Sequence, residues 1–333
     1  MTSIYERTKS PYKAIIELTR NCNLRCRHCY IPRHTGLMTR ANAYRLIEIL
    51  EKEGYIWLIL TGGEVFSHPC FCDIYSYMKQ KGFLIDIKTN ALLLTEEIKK
   101  ILVKYPPRKL DISVYGLCDE KYGKFSGDYL GFSKLVSSLD WLYDNDFSFQ
   151  LTVMAISENF QELVSGKYDD FFARYNCNIE FEYDIIKNLD RKHIPDVGLL
   201  NASEIIELEK NSKLYIQEIK QAVNEMENIN FICSGGKESV YIDADMQAHI
   251  CVLDNVKFPL DELSNSNGKL FLRSKEIEKR YYGSICYACV DRLGCKRCPI
   301  KHELTERKDN SLWRCEIAKR RYEEYQKWSN NDN

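Results

Sequence analysis

Apolar and polar residues alternate in two different rhythms along the first part of the chain. Short apolar runs rich in β-branched residues, which are typical of buried strands, lie at residues 14–19, 55–63, 84–90, 109–116, 149–156 and 179–186. Between them, apolar residues recur at helical spacing over residues 41–54, 71–82, 95–105, 131–146 and 160–175. Gly54 and Gly82 end two of these stretches, where C-cap glycines are expected. Strands that alternate with single helices form parallel βα units, which wind right-handedly into an open sheet or a barrel.

This order of elements predicts the fold class and the domains. Six βα units are fewer than the eight of a closed barrel, so we expect an α/β fold with a partial (β/α)6 TIM-like barrel over residues 1–200. A long polar helix is predicted from Ser203 to Glu227, within a helical bridge at residues 201–230. A small C-terminal domain is predicted at residues 231–333.

The composition excludes several classes of partner. The 333 residues are 44% hydrophobic, which is enough for one large domain and a smaller appendage. Lys and Arg (47) balance Asp and Glu (48) to a net charge of −1 without a long basic stripe, so nucleic acid is not expected as a main partner. No signal peptide begins the chain, and no stretch approaches the roughly 20 apolar residues that span a bilayer. We therefore expect a cytoplasmic protein without a membrane partner.

The 14 cysteines point to metal ligation, because the cytosol keeps thiols reduced and disulfides rare. Cys22, Cys26 and Cys29 lie together in NCNLRCRHCY, immediately after the first predicted strand. Such a loop lies at the C-terminal edge of a parallel sheet, where α/β proteins place their chemistry. Three thiolates on one loop can hold three irons of a four-iron cluster and leave the fourth iron open, as a catalytic metal site requires.

The stretch CNLRCRHC resembles the C-x3-C-x2-C signature of radical S-adenosylmethionine (radical SAM) enzymes. In that family the cysteines hold a [4Fe–4S] cluster, S-adenosylmethionine chelates the open iron, and its reductive cleavage gives a 5′-deoxyadenosyl radical that abstracts hydrogen from a substrate. TGGE at residues 61–64 resembles the family's GGE motif. The resemblance implies that Gly62 and Gly63 allow close backbone approach and that Glu64 lies near the amino group of S-adenosylmethionine.

The resemblance also implies cofactor contacts at later strand ends. Asn90 follows the third strand, where the family often carries a TN pair, and Ser113 ends the fourth, where a serine commonly contacts the cofactor's ribose or carboxylate. Asn159 follows the fifth strand as a further polar position of this kind, and Tyr30 resembles the residue that lies against the adenine. Each is an ordinary loop residue when taken singly, but their joint occurrence at successive strand ends favours cofactor binding.

A second group of cysteines begins at Cys233 and resembles the SPASM module of radical SAM enzymes, which holds two auxiliary four-iron clusters. The resemblance implies that Cys233, Cys251 and Cys298 hold the first auxiliary cluster, and that Cys286, Cys289, Cys295 and Cys315 hold the second. With three ligands, the first of these clusters has room for an open iron or for a noncysteine ligand. SVYIDADMQAHIC reads as the β-hairpin that begins the module. Met246 stands where the family usually has glycine. This departure is expected to affect the geometry of the loop more than cluster binding.

Zinc is the alternative at both groups of cysteines. The three N-terminal thiolates with His28 or His34 as a fourth ligand could hold zinc, but this would leave TGGE at the end of the next strand unexplained. The two C-x2-C pairs that begin at Cys286 and Cys295 could form another zinc site. The five residues between them are far fewer than the roughly 15 to 20 of a paired zinc fold.

The expected substrate also rests on the resemblance. SPASM enzymes most often act on peptides, so we expect a ribosomally synthesised peptide that receives a thioether or carbon–carbon crosslink or is epimerised. The core begins at residue 14, which leaves no room for the N-terminal leader-binding domain of many peptide maturases. This implies a separate leader-binding protein or another way of holding the peptide. A reductase or flavodoxin-type electron donor is the other implied partner.

Other functions stay open. A radical SAM dehydrogenase or related enzyme acting on a small molecule such as an aminosugar is one alternative. A nonenzymatic iron–sulfur electron carrier is another, although it would not need TGGE. Sulfatase maturation is disfavoured because Val252, rather than an aspartate, follows Cys251. The candidate bases near predicted strand ends, none of which the sequence assigns, are Tyr115, Asp119, Glu182 and Asp184.

Overall fold

A computed structural model describes most of the chain. It describes residues 11–31, 36–189, 191–192, 195–211, 233–264, 268–282, 288–295, 298, 300–301, 304 and 313–331. Of the predicted ligands, Cys286 and the alternative zinc ligand His34 lie outside these residues.

Within the described residues, eight strands form one sheet. In chain order they are β1 (Lys13–Thr19), β2 (Trp57–Gly62), β3 (Leu84–Thr89), β4 (Lys109–Val114), β5 (Phe149–Met154), β6 (Asn178–Glu182), β7 (Ser239–Ile242) and β8 (Ala248–His249). Their order in the sheet is β6-β5-β4-β3-β2-β1-β7-β8. All neighbouring pairs are parallel except β7 and β8, which are antiparallel.

The parallel strands β1 to β6 confirm the predicted α/β core, and the sheet stays open because β6 and β8 are its two edges. The bounds of β1 to β5 lie close to the predicted ones, but β6 ends at Glu182 rather than at residue 186. The chain leaves the sheet after Glu182, while Tyr183, Ile185 and Ile186 remain buried. The last part of that apolar run therefore serves core packing rather than strand pairing.

Helices connect the strands. Those that the structure describes are α1 (Arg40–Lys52), α2 (Phe71–Gln80), α3 (Glu96–Lys104), α4 (Asp119–Ser126), α5 (Gly131–Asp144), α6 (Phe160–Val164), α7 (Lys167–Phe172), α8 (Ala202–Lys210), α9 (Lys269–Tyr282) and α10 (Trp313–Asn331). Short 3-10 turns occupy Val65–Ser67, Ala173–Tyr175, Leu260–Ser264 and Arg292–Gly294.

The described helices differ from the predictions in three places. The single helix expected at residues 160–175 is two short helices, α6 and α7, because Gly166 between them has a left-handed φ of +79° that interrupts helical hydrogen bonding. The helix α4 is not predicted, since glycine and serine on its buried face blur the apolar period. The helix expected over Ser203–Glu227 is observed as α8, which ends at Lys210, and its part from residue 212 lies outside the described residues.

Gly54 confirms its expected place at a helix end. Its φ is +79°, its amide donates to the Glu51 carbonyl at 3.1 Å, and the next amide, of Tyr55, donates to the Leu50 carbonyl at 3.0 Å. This pair of bonds satisfies carbonyls that the end of α1 would otherwise leave unpaired. Gly82 has a φ of +87° and stops α2 in the same way.

The predicted hairpin is confirmed as β7 and β8, and it also extends the core sheet. β7 runs parallel to β1, with Lys13 opposite Ser239 and Ile16 opposite Ile242. The start of the C-terminal region and the barrel core thus share one sheet. The boundaries of the bridge and of the C-terminal domain stay predictions.

The two faces of the sheet differ in polarity. Ala14 and Ile16 on β1 are fully buried against the helices, as strand alternation requires. The opposite face carries polar side chains on β3, β4 and β5, where Lys88 pairs with Asp111 and Thr152 Oγ1 donates to Asp111 at 2.6 Å. The strand ends that border this polar face hold the cysteine loop.

Candidate active site

The loop after β1 carries the three N-terminal cysteines at the C-terminal ends of the parallel strands. Together with the ends of β2, β3 and β4 it lines a cavity of about 500 Å³, a size typical of small-ligand sites. The predicted site residues that the structure brings together in this lining are Cys22, Cys26, Cys29, Tyr30, Gly62, Gly63, Asn90 and Ser113.

The cysteine loop is held by backbone contacts to a neighbouring helix. The Arg25 amide donates to the Ser126 carbonyl at 2.7 Å, and the Arg27 amide donates to the Phe125 carbonyl at 3.0 Å. Both acceptors lie in the last turn of α4, so the helix that the sequence pattern does not predict is the one that supports the loop. These bonds need no particular side chain on the loop.

The thiols of this loop influence one another. Burial raises the pKa of Cys22 to about 11, and the nearby carboxylate of Glu64 and thiol of Cys29 add to the rise. Burial also raises the pKa of Cys26, with further contributions from Cys22 and Cys29. Thiols whose pKa is raised by burial and by neighbouring thiols need a cationic centre to be held as thiolates. The Leu24 amide already donates to Cys22 Sγ at 3.3 Å, a contact that favours the thiolate.

This donor set fits an iron–sulfur cluster. Three cysteines share one wall of a single cavity whose remaining space can admit the external ligand of an open iron. Within the described residues, no group of three or more His, Cys, Asp and Glu side chains converges closely enough to hold a single metal ion.

Gly62 and Gly63 let the end of β2 approach the cysteine loop. A Cβ on Gly62 would lie 2.3 Å from the Thr19 carbonyl oxygen, and one on Gly63 would lie 2.3 Å from the Asn21 carbonyl oxygen. Both neighbours are backbone atoms that cannot move aside like a flexible side chain. The Gly63 and Glu64 amides donate to those same two carbonyls at 2.7 and 2.8 Å. The glycines therefore join the loop directly to β2.

Glu64 is 1% exposed and ties two strand ends together. Its carboxylate accepts hydrogen bonds from Thr89 Oγ1 at 2.6 Å, the Asn90 amide at 2.7 Å and the Phe66 amide at 3.0 Å. Burial raises the pKa of Glu64, and these three donors oppose the rise. The contact with the cofactor's amino group stays a prediction, whereas the carboxylate's role in joining β2 to β3 is visible.

Asn90 supports the loop as well as lining the cavity. Its Nδ2 donates to Asn23 Oδ1 at 2.9 Å, and its Oδ1 accepts from the Leu92 amide at 3.0 Å. Tyr30 lines the cavity next to Cys29, and burial raises the pKa of its hydroxyl to about 12. Ser113 lies in the same lining at the end of β4.

Asn159 lies outside the described cavity lining. Its Oδ1 accepts from the Ile156 amide at 2.9 Å, and its Nδ2 donates to the Met154 carbonyl at 2.9 Å and approaches the Tyr168 hydroxyl at 3.4 Å. The amide thus holds the turn after β5. The side chain is hydrogen-bonded within its own loop, and the expected cofactor contact of Asn159 stays a prediction.

His28 and Tyr115 also line the cavity, although the sequence reading does not enter either as a cofactor contact. Their ring centroids lie 5.5 Å apart, and His28 stacks on Phe125 at 5.1 Å. Burial lowers the pKa of His28 to about 4, so the imidazole is neutral near pH 7. The sequence suggests His28 only as a zinc ligand, whereas the structure shows its ring packed against the aromatic rings of Tyr115 and Phe125. Its place between Cys26 and Cys29 is the signal that could have identified it.

Arg20 connects the cavity to the hairpin. It lines the cavity and pairs with Glu17 at 3.0 Å, with Asp245 at 2.8 Å and with Asp243 at 3.5 Å. Asp243 Oδ2 in turn lies 3.2 Å from His249 Nε2. This network leads from the first cysteine loop to the strand that precedes Cys251.

The cysteines predicted for the first auxiliary cluster come together in space. Burial raises the pKa of Cys251 to about 12, and the nearby thiols of Cys298 and Cys233 add to this rise. Burial likewise raises the pKa of Cys298, whose sulfur accepts from the Lys301 amide at 3.3 Å. Three segments far apart in sequence therefore contribute one thiol each to this place.

One segment of the second predicted auxiliary set packs on helix α10, which carries Cys315. The 3-10 turn Arg292–Gly294 lies between Cys289 and Cys295 and packs on α10 so closely that a Cβ on Gly294 would lie 2.0 Å from the Ala318 carbonyl oxygen. Ala318 follows Cys315 by one helical turn. The turn thus brings the 289–295 segment to the start of α10. The fourth predicted ligand, Cys286, lies outside the described residues.

Comparisons with known proteins agree with this arrangement. Residues 16–165 match the radical SAM superfamily model. Over 162 residues the chain is 30% identical to the AdoMet-dependent heme synthase of Methanosarcina barkeri, a match to 47% of this chain and 46% of the synthase. Over 285 residues it is 22% identical to the antilisterial bacteriocin subtilosin biosynthesis protein AlbA of Bacillus subtilis, covering 81% of this chain and 61% of AlbA. The matches thus span about half to three fifths of these relatives' lengths.

Among solved structures, Streptococcus suis SuiB bound to its precursor peptide SuiA superposes with a TM-score of 0.69 at 13% identity, over 92% of this chain and 75% of SuiB. At this identity the likeness concerns the fold. None of the helices described combines the length and the apolar character needed to cross a membrane.

Proposed function

We propose that this chain, whose residues 16–165 form a radical SAM domain, reductively cleaves S-adenosylmethionine and uses the product to abstract hydrogen from a ribosomally synthesised peptide. One observation carries the first part of the proposal: three mutually interacting thiols share a single cavity with the strand-end residues of the GGE motif. A [4Fe–4S] cluster on Cys22, Cys26 and Cys29 would supply the electron for cleavage.

The chain's own residues shape the place where the cofactor would bind. Gly62 and Gly63 bring backbone, rather than side chains, to the cavity wall, and Glu64 holds that wall through its bonds to β3. Asn90 and Ser113 offer polar groups on adjacent strand ends. The neutral imidazole of His28 and the ring of Tyr115 offer an aromatic surface in the same cavity lining.

We further propose two auxiliary [4Fe–4S] clusters in the C-terminal region. The first would use Cys233, Cys251 and Cys298, and the second would use Cys286, Cys289, Cys295 and Cys315. The proximity of the first three thiols supports the first assignment. The contact of the Arg292–Gly294 turn with α10 supports the second, because it brings the segment of Cys289 and Cys295 to the helix that carries Cys315.

A peptide substrate is supported by the relatives. AlbA is a bacteriocin biosynthesis protein and matches most of this chain, and SuiB, which shares its fold, binds a precursor peptide. A thioether crosslink, a carbon–carbon crosslink and an epimerisation all begin with hydrogen abstraction from such a peptide. A separate leader-binding protein and a reductase or flavodoxin-type electron donor are the proposed partners.

The experiment uses anaerobically reconstituted full-length protein. With dithionite and S-adenosylmethionine we expect 5′-deoxyadenosine, and iron analysis should give about 12 irons per chain for three four-iron clusters. No 5′-deoxyadenosine would leave an iron–sulfur electron carrier as the better description. About four irons would remove the auxiliary clusters while leaving the radical SAM site intact.

The substrate is tested with the short peptides encoded beside the gene. A peptide whose mass or stereochemistry changes only when S-adenosylmethionine and reductant are both present would support the proposal. Turnover of an aminosugar in place of every such peptide would instead establish the small-molecule alternative.

A further inference from the structure

The segment that follows β6 lies between the barrel core and the C-terminal cysteines. Its central feature is Asp184, whose side chain is 6% exposed and pairs with both Lys301 and Arg314. Asp184 also donates its amide to the Glu182 carboxylate at 2.8 Å, which holds the turn at the strand end. One buried carboxylate of the core thus contacts two cations from separate parts of the C-terminal region.

Each of these cations lies beside a cysteine of a different set. Lys301 donates its amide to Cys298 Sγ at 3.3 Å while its ammonium group pairs with Asp184. Arg314 immediately precedes Cys315 at the start of α10 and is 16% exposed. Asp184 therefore contacts one residue next to the proposed first auxiliary cluster and one next to the second.

The energetic argument concerns burial of charge. A largely buried carboxylate is stable only while its cations remain in place, and loss of the carboxylate leaves those cations partly desolvated without compensation. Lys301 also lies 4.0 Å from the Glu182 carboxylate, but that side chain is 45% exposed and is screened by water. Asp184 is thus the better placed of the two carboxylates to hold Lys301, and it alone among them contacts Arg314 in the described structure.

We propose that Asp184 is a positioning residue that sets both auxiliary cysteine sets against the radical SAM core. This inference rests on the proposed auxiliary clusters. Because both contacts start from one strand end, a shift of Asp184 moves Cys298 and Cys315 together relative to β6. The three N-terminal cysteines are held by backbone bonds to α4, and the segment after β6 reaches their loop through a backbone bond, from the Leu189 amide to the Tyr30 carbonyl at 2.9 Å, rather than through the Asp184 carboxylate.

The test compares Asp184→Asn with Asp86→Asn in anaerobically reconstituted full-length protein. Asp86 on β3 is also a buried carboxylate, is paired with Arg108 just before β4, and has no cysteine beside it, so it controls for the general cost of removing a buried acid. The readouts are iron release to a chelator, the electron paramagnetic resonance spectrum of the reduced protein, and 5′-deoxyadenosine formation. Asp184→Glu is included as the conservative variant.

We expect Asp184→Asn to release about eight of about 12 irons roughly tenfold faster than wild type and to alter the auxiliary resonance signals. Its 5′-deoxyadenosine formation should stay within about twofold of wild type, since the sites are separately supported. Asp184→Glu should restore slow release, and Asp86→Asn should behave like wild type in all three readouts.

Unchanged iron release and resonance signals in Asp184→Asn would overturn the inference. So would equal changes in Asp86→Asn, or a loss of 5′-deoxyadenosine formation that parallels the loss of auxiliary iron, because either result indicates general destabilisation. If wild type itself holds about four irons, it is the proposed auxiliary clusters that fail, and the inference fails with them.

Discussion

The N-terminal cysteine loop and the C-terminal cysteine region hold their thiols by different means. Cys22, Cys26 and Cys29 lie on one loop whose amides bond to α4 and whose neighbouring glycines bond to β2. The C-terminal cysteines come from separate segments: the hairpin between Cys233 and Cys251 pairs its backbone with β1, and the parts that carry Cys298 and Cys315 contact the core through ion pairs of Asp184. The first arrangement is local, whereas the second is long-range and depends in part on single buried side chains.

The difference has a physical cause. Closing a short loop costs little conformational entropy, so a strand-end loop brings three ligands together cheaply. Ligands from Cys233 to Cys315 require the closure of several long loops, and specific contacts must offset that cost. The C-terminal region should therefore be the more sensitive to single buried substitutions, and the N-terminal loop should be the more sensitive to changes in its ligands and backbone.

The largest effect should come from Cys26→Ala. We expect 5′-deoxyadenosine formation to fall by more than about a hundredfold, since the loop would lose one of three cluster ligands. The auxiliary iron, about eight per chain, should remain, because it is held elsewhere. Cys72→Ala on α2, which removes a half-buried thiol away from the cavity, should leave both readouts unchanged. Parallel loss of all iron in Cys26→Ala would show that the two regions are not independent.

Next in size should be Arg321→Met. Arg321 on α10 is 5% exposed, pairs with Glu209 through two nitrogens at 2.7 and 2.8 Å, and donates to the Gly294 carbonyl. Removing the guanidinium takes away both of its hydrogen bonds to the Glu209 carboxylate. We therefore expect the free energy of unfolding to drop by about 4 kcal/mol in urea titrations. Arg320→Met, one residue earlier and 45% exposed, should cost less than about 1 kcal/mol. Equal losses of unfolding free energy in the two variants would contradict a specific stabilising role for the buried Arg321 side chain.

Gly63→Ala should have a smaller effect that is confined to the N-terminal site. Its Cβ would lie 2.3 Å from the Asn21 carbonyl oxygen, so the β2 end must move away from the cysteine loop, at a cost of about 2 kcal/mol. We expect a lower melting temperature together with reduced 5′-deoxyadenosine formation. Gly54→Ala meets no atom within 4 Å and should cost only about 1 kcal/mol for its φ of +79°. If both variants retained full cleavage activity, the close approach at Gly63 would have no role in the site.

The smallest effect should come from Asp111→Asn, which probes an ion pair between neighbouring strands. Burial acts to raise the pKa of Asp111, but Lys88 and Thr152 outweigh it, so the pKa lies below the usual range. A depressed carboxyl pKa stabilises the fold above the unfolded value of about 3.9 and loses this effect as the pH falls through the folded pKa.

We therefore expect Asp111→Asn to lower the free energy of unfolding by up to about 1 kcal/mol at pH 7. Since strand pairing already fixes β3 and β4, the loss should be well below that of Arg321→Met. Urea titrations from pH 7 to pH 2 measure it, and the difference from wild type should shrink in the acid part of this range. A difference that grows on acidification would show that the carboxylate is not favoured in the folded state.

The sequence is a good guide where structure depends on local pattern. The alternation of apolar runs and helical periods predicts β1 to β6 and their parallel order, because each strand must bury one face against the next helix. The spacing of Cys22, Cys26 and Cys29 after a strand predicts a three-thiol site, since a single loop limits where those thiols can lie. TGGE is equally informative, because a side chain at either glycine would clash with a nearby backbone carbonyl oxygen.

Tertiary structure alone decides what depends on distant segments. The pairing of β7 with β1, the support of the cysteine loop by α4, and the pairing of Asp184 with Lys301 and Arg314 leave no periodic trace in the sequence. Asn159 gives a second example of this limit. Its position at a strand end suggests a cofactor contact, and only the structure reveals that its side-chain amide bonds to its own loop. Residue type and spacing determine which chemistry is present, whereas the direction of each side chain follows from packing across the sheet.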